Sequence, residues 1–490
     1  MGLSCMQVHP FAKNIDNAIS GIKERIMFLD SKGTRRPECT RSESACLPIV
    51  RKIVSCMSAP TRMTRRQFIS SRPGCKRRLY ETANSQLENR PASLASYART
   101  SLFTKWERTV HTPGKVTVPR IINPRSPQFN ILLGRFLTPI EHNVFDALAQ
   151  AIESPHPVIA KGLTQEQKAA IIVDYVHNGY AAVGLDASRY DQSLGKTLLS
   201  IEQLVYVLAY NGDRALVQLL KHQLDNVGVH LSDEGKLYIR YGAIRCSGDM
   251  NTSLGNCIIS IVMATLFCQE NQISDFRLLC DGDDLILFVK RSSLGVVEQN
   301  ITSWYLRWGL RMKVEAPAFI PEHVEFCQAR PVLCNGRYTL IRNPVKCLNV
   351  DFTGFIELSS HDYFLKYLRA VGVCGKYLTA GCPVLQEWYS FGVRCGRTGR
   401  VSPDDMRRNF NIQAALEQTR GSAYQAQVTL ASRESFALAF GIDEGAQLEL
   451  EGLLRSATID SRGVCKHPTD DTDLSRDFAF LLTNTNPHGS

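Results

Sequence analysis

Residues Leu278 to Val289 read LLCDGDDLILFV, a Gly-Asp-Asp tripeptide set between two short apolar stretches. Runs of this length and residue type read as buried β-strands, and a glycine between them supplies the φ freedom that a tight turn needs. The segment therefore predicts a β-hairpin with Gly282 in the turn and with Asp283 and Asp284 at its tip. Adjacent carboxylates on so rigid a support can bind metal. Alone, the tripeptide is equally an ordinary acidic turn, since average residue usage puts it in roughly one chain in ten of this length by accident.

A second acidic segment, Ala181 to Leu194 (AAVGLDASRYDQSL), runs from an apolar, strand-like stretch into Asp186 and reaches Asp191 five residues later. Asp186 falls where a strand ends, the usual place for a catalytic residue on a sheet, and Asp191 lies about one helical turn further on. The plainer alternative is a helix N-terminus capped by Asp or Ser. Acidic groups from two separate strands are what two-metal phosphoryl transfer requires: cations roughly 3.5–4 Å apart activate the attacking oxygen and stabilise the leaving one. Asp186 and Asp283 are the natural pair. So sparse a set suits Mg²⁺, completed by substrate phosphates and water, better than Zn²⁺.

Between the two lies Arg245 to Ser260 (RCSGDMNTSLGNCIIS), where a small, flexible Ser247-Gly248 pair precedes Thr252, Asn256 and an apolar helical run. Thr252 and Asn256 are four apart, so they share a helix face and can address a common ligand or satisfy each other in the core. GLDASRYDQSL, SGDMNTSLGN and DGDD, in that order and at such separations, resemble motifs A, B and C of viral RNA-directed RNA polymerases, above all those of the tombusvirus-like positive-strand RNA viruses. Upstream, KVTVPRIINPRSPQFNILLGR (Lys115 to Arg135) resembles motif F, and FTKWER (Phe103 to Arg108) extends the likeness. Downstream, WGLRMKVE (Trp308 to Glu315) resembles motif D and VEFCQARPV (Val324 to Val332) motif E. The resemblance covers Lys76 to Pro344.

This resemblance implies a role for each matching residue. Asp186 and Asp283 ligate catalytic Mg²⁺, with Mn²⁺ able to substitute, and Asp284 supports them. Asp191 and Asn256 recognise the ribose 2′-hydroxyl, which a carboxylate and an amide can bracket because a hydroxyl both donates and accepts. Ser247 and Gly248 form the loop that senses template and base pair, with Thr252 beside them in the nucleotide site. Lys115, Arg120 and Arg125 face the incoming triphosphate on a segment stiffened by Pro119, Pro124 and Pro127. Lys313 is the candidate proton donor to pyrophosphate, or else a plain surface charge. Phe326, Cys327 and Gln328 form the turn that holds the primer or nascent strand, with Cys327 a packing residue and not a nucleophile.

Charge distribution supports a polyanionic partner. The net charge is +10, yet residues 1–120 hold 22 Lys and Arg against 8 Asp and Glu, leaving 35 against 39 in the remainder. The positive excess thus precedes the acidic motifs, and Lys76, Arg77, Arg78 and Lys105 are expected RNA contacts, with binding that weakens steeply in salt. Part of residues 1–66 reads alternatively as a basic arm without fixed shape. The 16 cysteines include no Cys-x-x-Cys pair; Cys257, Cys268 and Cys280 read as small core hydrophobes in a reducing compartment, and the late trio Cys374, Cys382 and Cys395 is not expected to bind metal. No segment is expected to span a bilayer, and Lys13 and Asp16 break up any signal-peptide profile.

The expected fold is α+β: a right-hand polymerase of fingers, palm and thumb whose palm is an antiparallel sheet packed on helices. Expected boundaries are a basic N-terminal extension at 1–75, fingers with motif F at 76–180, and a palm with motifs A to E and finger insertions at 181–345. A helical thumb follows at 346–470 and a polar tail at 471–490. Tyr363, Tyr367 and Tyr377 in the thumb belong to its core or touch product RNA. The expected partners are single-stranded viral RNA template, nascent RNA, nucleoside triphosphates and a membrane-anchoring viral replication protein, which would place the chain in membrane-associated complexes of the host cytoplasm. Of three other readings, a reverse transcriptase is disfavoured by the Asp191 and Asn256 pair, a terminal nucleotidyl transferase activity stays open as a side reaction, and the complete acidic set argues against a catalytically silent RNA-binding subunit. Absence of a Walker loop or a GxGxxG fingerprint argues against an attached helicase or dinucleotide domain.

Overall fold

The computed structural model describes residues 7–9, 11–28, 32–107, 109–111, 117–352, 360–402, 426–459 and 465–466. Lys115, Arg108, residues 403–425 of the expected thumb and the tail at 471–490 lie outside them. The strands that position the site are β1 (Tyr180–Ala187), β2 (Asn226–Ser232), β3 (Gly235–Tyr241), β4 (Phe276–Asp281), β5 (Asp284–Lys290), β6 (Met312–Val314), β7 (Ala329–Cys334) and β8 (Arg337–Arg342). The helices around them are α1 (Leu47–Ser55), α2 (Gln165–His177), α3 (Lys196–Ala209), α4 (Thr252–Glu270), α5 (His361–Leu378), α6 (Leu385–Cys395), α7 (Leu430–Phe440) and α8 (Glu444–Ser456).

Four strands form the central sheet in the order β6-β1-β5-β4, each neighbour antiparallel. Both faces are covered, which is why β1 and β5 read as near-continuous apolar runs instead of alternating ones. Val183, Leu185, Cys280, Leu285 and Leu287 enter the largest core together with Cys257, Ile261 and Phe267 of α4. Alternate residues, Ala182, Leu279, Ile286 and Phe288, pack on the opposite side against Ile172 and Tyr175 of α2 and Leu340 of β8. Because side chains alternate with a period of two, a slip of one residue would exchange the two faces, so burial on both sides specifies the register.

Helix α4 is apolar all round and accordingly buried. By length and composition it could cross a membrane, contrary to the expectation from sequence, but 83% of its most apolar stretch lies inside the protein, as a central core helix does. The N-terminal segment is also built in: Cys46, Ile49, Val50 and Ile53, from the turn before α1 and from α1 itself, sit in the same core as α4. A shapeless arm therefore does not describe this part of residues 1–66.

The β7–β8 hairpin contributes Val332, Cys334 and Ile341 to a separate core with α5, α6, α7 and α8. Helices α5 and α6 approach closely at Gly372 and Gly375, where a Cβ would collide with the backbone or the Tyr389 ring. Tyr367 is a core residue there, and the Tyr363 hydroxyl accepts from the Ser402 amide at 3.0 Å. Cys382 is buried, while Cys374 and Cys395 are half-buried. In a separate sheet, β2 pairs with β3, and the two-residue strand Thr100–Ser101 runs parallel to β2.

Candidate active site

Strands β4 and β5 close the predicted hairpin. Asp281 pairs with Asp284, so Gly282 and Asp283 are a two-residue loop, and Gly282 takes φ 78°. A positive φ at the first loop position alone is the pattern of a type II′ turn, which a side chain at that position would strain. The loop is also tied to the other two segments. Ser260 on α4 donates to the Gly282 carbonyl at 2.8 Å, and its hydroxyl meets the Tyr190 hydroxyl, also at 2.8 Å. Neither Tyr190 nor Ser260 stood out in the sequence. Ser260→Ala leaves the Tyr190 hydroxyl with only the Asn256 carbonyl at 3.3 Å and the Gly282 carbonyl with only the Cys280 thiol at 3.5 Å, so urea unfolding should show a loss of about 1 kcal/mol.

Asp186 stands near the end of β1, one strand from Asp284, and Lys313 of β6 is its direct cross-strand partner. Directly opposed residues point to one face, so Lys313 and Asp186 are neighbours above the sheet. Glu315, which the sequence reading missed although its period-two spacing from Lys313 puts it on the same face, lies over Gly184, where a Cβ would collide with its carboxylate. Desolvation raises the Glu315 pKa, and Glu325 adds to the shift. Lys168 of α2 is a second missed residue, with Nζ 3.8 Å from Asp281. Desolvation likewise raises Asp283, with Asp191 and Asp186 adding to it and Arg120 opposing. Asp284 is pushed up to about 6, first by desolvation and then by Asp283. These carboxylates reach solvent at the hairpin tip but are crowded by protein and by one another, so a cation between them would relieve the field.

Asp191 and Asn256 meet as expected. The Asn256 amide nitrogen donates to one Asp191 oxygen at 3.0 Å, and the Ser247 hydroxyl donates to the other. Gly248, at φ 109°, lies against Pro124, and the Asn123 amide donates to the Ser247 carbonyl at 2.9 Å, so the segments holding Arg120 and Ser247 are adjacent. Arg120 is exposed, 3.6 Å from Glu107, which also binds Lys105 at 2.8 Å. Arg25 and Arg189, unmarked in the sequence, lie close enough that they and Arg120 repel: after desolvation, the charges of Arg189 and Arg120 lower the Arg25 pKa. Lys76, Arg77 and Arg78 form an exposed basic patch on the helix Gly74–Asn89.

Three assignments need correction. Arg125 does not face a triphosphate: its side chain is fully buried and donates to Asp249 at 2.8 Å, Asn226 at 2.6 Å and the carbonyls of Ala98 and His222 at 2.6 and 3.1 Å. Thr252 does not point at a shared ligand, because its hydroxyl turns back to the carbonyls of Cys246 and Asp249, at 3.1 and 3.0 Å, and ties the loop to the start of α4. Phe326 offers no surface to RNA, being 2% exposed in the core beneath β5. Its turn is nonetheless present. Phe326 and Ala329 pair around Cys327 and Gln328, which both take positive φ, 52° and 61°. Two non-glycine residues in that region store strain, a pattern that collects at functional sites. The Cys327 thiol lies 3.9 Å from Asp281, and desolvation raises its pKa, so it packs as a thiol.

The sequence pattern of the viral RNA-dependent RNA polymerase family matches residues 3–462. The chain belongs to this family. Among curated relatives it is similar to the RNA-directed RNA polymerase of oat chlorotic stunt virus, 32% identical over 93% of this chain and 63% of the relative. It is similar also to those of maize chlorotic mottle virus, 33% identical over 81% of this chain and 41% of the relative, and of tobacco necrosis virus strain A, 31% over 89% and 60%. The chain thus spans less than two thirds of the length of these relatives. For a viral RNA-dependent RNA polymerase family member, the mixed helix and sheet architecture and the convergence of its three acidic and polar segments are consistent with membership.

Proposed function

We propose that the chain is an RNA-directed RNA polymerase that copies a viral RNA genome from nucleoside triphosphates. The observation that carries this reading is the approach of Asp186 and Asp284 on adjacent strands of one sheet, with Asp283 in the hairpin loop next to them, beside the hydrogen-bonded pair Asp191 and Asn256. In it, residues 76–180 are fingers, 181–345 the palm and 346–470 the thumb, with 1–75 a basic extension.

Asp186, Asp283 and Asp284 would hold Mg²⁺ or Mn²⁺. The hard oxygen donors, and the desolvation and neighbouring carboxylates that raise Asp283 and Asp284, fit a divalent cation. Among the described residues no three His, Cys, Asp or Glu side chains form a ready-made metal cage, so a bound cation would draw its remaining ligands from substrate phosphates and water. When bound, such cations activate the 3′-hydroxyl for attack on the α-phosphate and stabilise the departing pyrophosphate. Arg120 orients the triphosphate, and Lys313, beside Asp186, supplies a proton to the leaving group. Asp191 and Asn256 bracket the ribose 2′-hydroxyl, and the Ser247-Gly248 loop contacts the template-side base. Cys327 and Gln328 support the nascent strand, while Lys76, Arg77, Arg78 and Lys105 hold template phosphates. A membrane-anchoring viral protein, and through it a membrane-associated place in host cytoplasm, completes the reading.

Incorporation of labelled nucleotide on a single-stranded RNA template with Mg²⁺ or Mn²⁺ tests it. Template-directed product that disappears on chelation is the expected result. RNA binding without synthesis under either metal would overturn it in favour of a silent binding subunit.

A further inference from the structure

The ribose-facing pair is oriented by groups that never reach the substrate. Asn256 carries an oxygen at one end of its amide and an NH₂ at the other, and only the NH₂ can donate to Asp191. Arg245 decides between them: its Nε–H donates to Asn256 Oδ1 at 2.9 Å, and because a guanidinium offers donors alone, the Asn256 oxygen must face it. The Arg245 backbone amide also donates to the Asp191 carbonyl at 2.9 Å, so one residue holds both members of the pair.

Arg245 is held in turn by Glu202 of α3. The two form an ion pair with side-chain exposures of 2% and 0%. Glu202 also accepts from the Tyr206 hydroxyl at 2.9 Å and from the Asn251 amide, and it abuts Gly255, where a Cβ would collide with its carboxylate. Gln223 joins Asn251 at 2.8 Å to Asp249 at 3.1 Å, which binds Arg125. Glu202 thus has no rotamer freedom to lend, and neither does Arg245.

We propose that the buried Arg245–Glu202 pair is the positioning device for sugar selection: it dictates which end of the Asn256 amide meets Asp191, and so sets the preference for ribonucleotides over deoxyribonucleotides. This rests on the polymerase reading above. The test substitution is Arg245→Lys, which keeps a positive charge for Glu202 but has no Nε–H to hold the Asn256 oxygen. Glu202→Gln, which retains an acceptor for Arg245, is made in parallel and carries the test if the lysine variant fails to melt cooperatively.

The readout is kcat/KM for one ribonucleoside triphosphate and its 2′-deoxy counterpart on the same primed RNA template. The ratio should fall about tenfold, from the loss of one directed hydrogen bond, while RNA synthesis continues. Parallel losses on both substrates, with the ratio unchanged, would show a structural role only and overturn the proposal. If the unaltered chain incorporates neither nucleotide, the polymerase reading itself fails and the proposal with it.

Discussion

Asp283→Asn should reduce RNA synthesis on the order of 10³-fold or more while leaving the fold at least as stable. The activity loss follows from the several kcal/mol of transition-state charge stabilisation attributed to a catalytic metal, at tenfold per 1.4 kcal/mol. The stability arm follows from the field around the hairpin. Asp283 is desolvated and repelled by Asp191 and Asp186, and Asp284 is raised in turn by Asp283. Removing the charge relieves that repulsion, the usual trade between function and stability at a charged site. Single-turnover incorporation with Mg²⁺ and a thermal melt of the same preparation check the two arms. Product formation indifferent to the substitution would remove Asp283 from the site, and a sharply lowered melting temperature would make any activity loss uninformative.

Arg125→Ala should cost about 3–5 kcal/mol of stability, because it leaves Asp249 buried and uncompensated. Burial works against the Arg125 charge, but the Asp249 carboxylate more than offsets it and holds the guanidinium in its charged form. Arg120→Ala should do the reverse. Its side chain is 58% exposed, so the unfolding midpoint should move by no more than about 0.5 kcal/mol while KM for nucleotide rises. Urea unfolding and nucleotide titration on both variants separate the roles. A stable Arg125→Ala protein with a raised KM would restore the phosphate contact expected from sequence. The double variant Arg125→Met with Asp249→Leu should recover part of the loss, since removing both charges of a buried pair is far cheaper than removing one.

These two arginines mark the limit of what the sequence made legible. Both occur in one proline-stiffened basic segment, and nothing local separates Arg120, beside Glu107 at the surface, from Arg125, buried against Asp249 124 positions away. The hairpin was legible because its determinants are short-range: two apolar runs and a glycine two residues before Asp284. The approach of Asp191 to Asn256, 65 positions apart, was legible only through family resemblance. Thr252 and Asn256 do share a helix, but their spacing could not say that the hydroxyl would turn back to Cys246. Phe326 was placed correctly in a turn and wrongly toward RNA, because chain direction fixes a turn and packing decides which side chains it buries.

By itself, then, the sequence determined the β-hairpin bearing Asp283 and Asp284, the strand ending near Asp186, the apolar helix beginning at Thr252 and the family to which these belong. The hairpin, the strand and the helix depend on periodicity or turn chemistry within about twenty residues, whereas the family followed from the resemblance of motifs spread along the chain. Only the tertiary structure decided which polar groups face solvent and which lock the interior: Arg125 with Asp249, Arg245 with Glu202, and Ser260 with Gly282. The physical reason is that the energy of a charge or a hydrogen-bonding group depends on whether water remains beside it, and that is settled by elements brought together from distant parts of the chain.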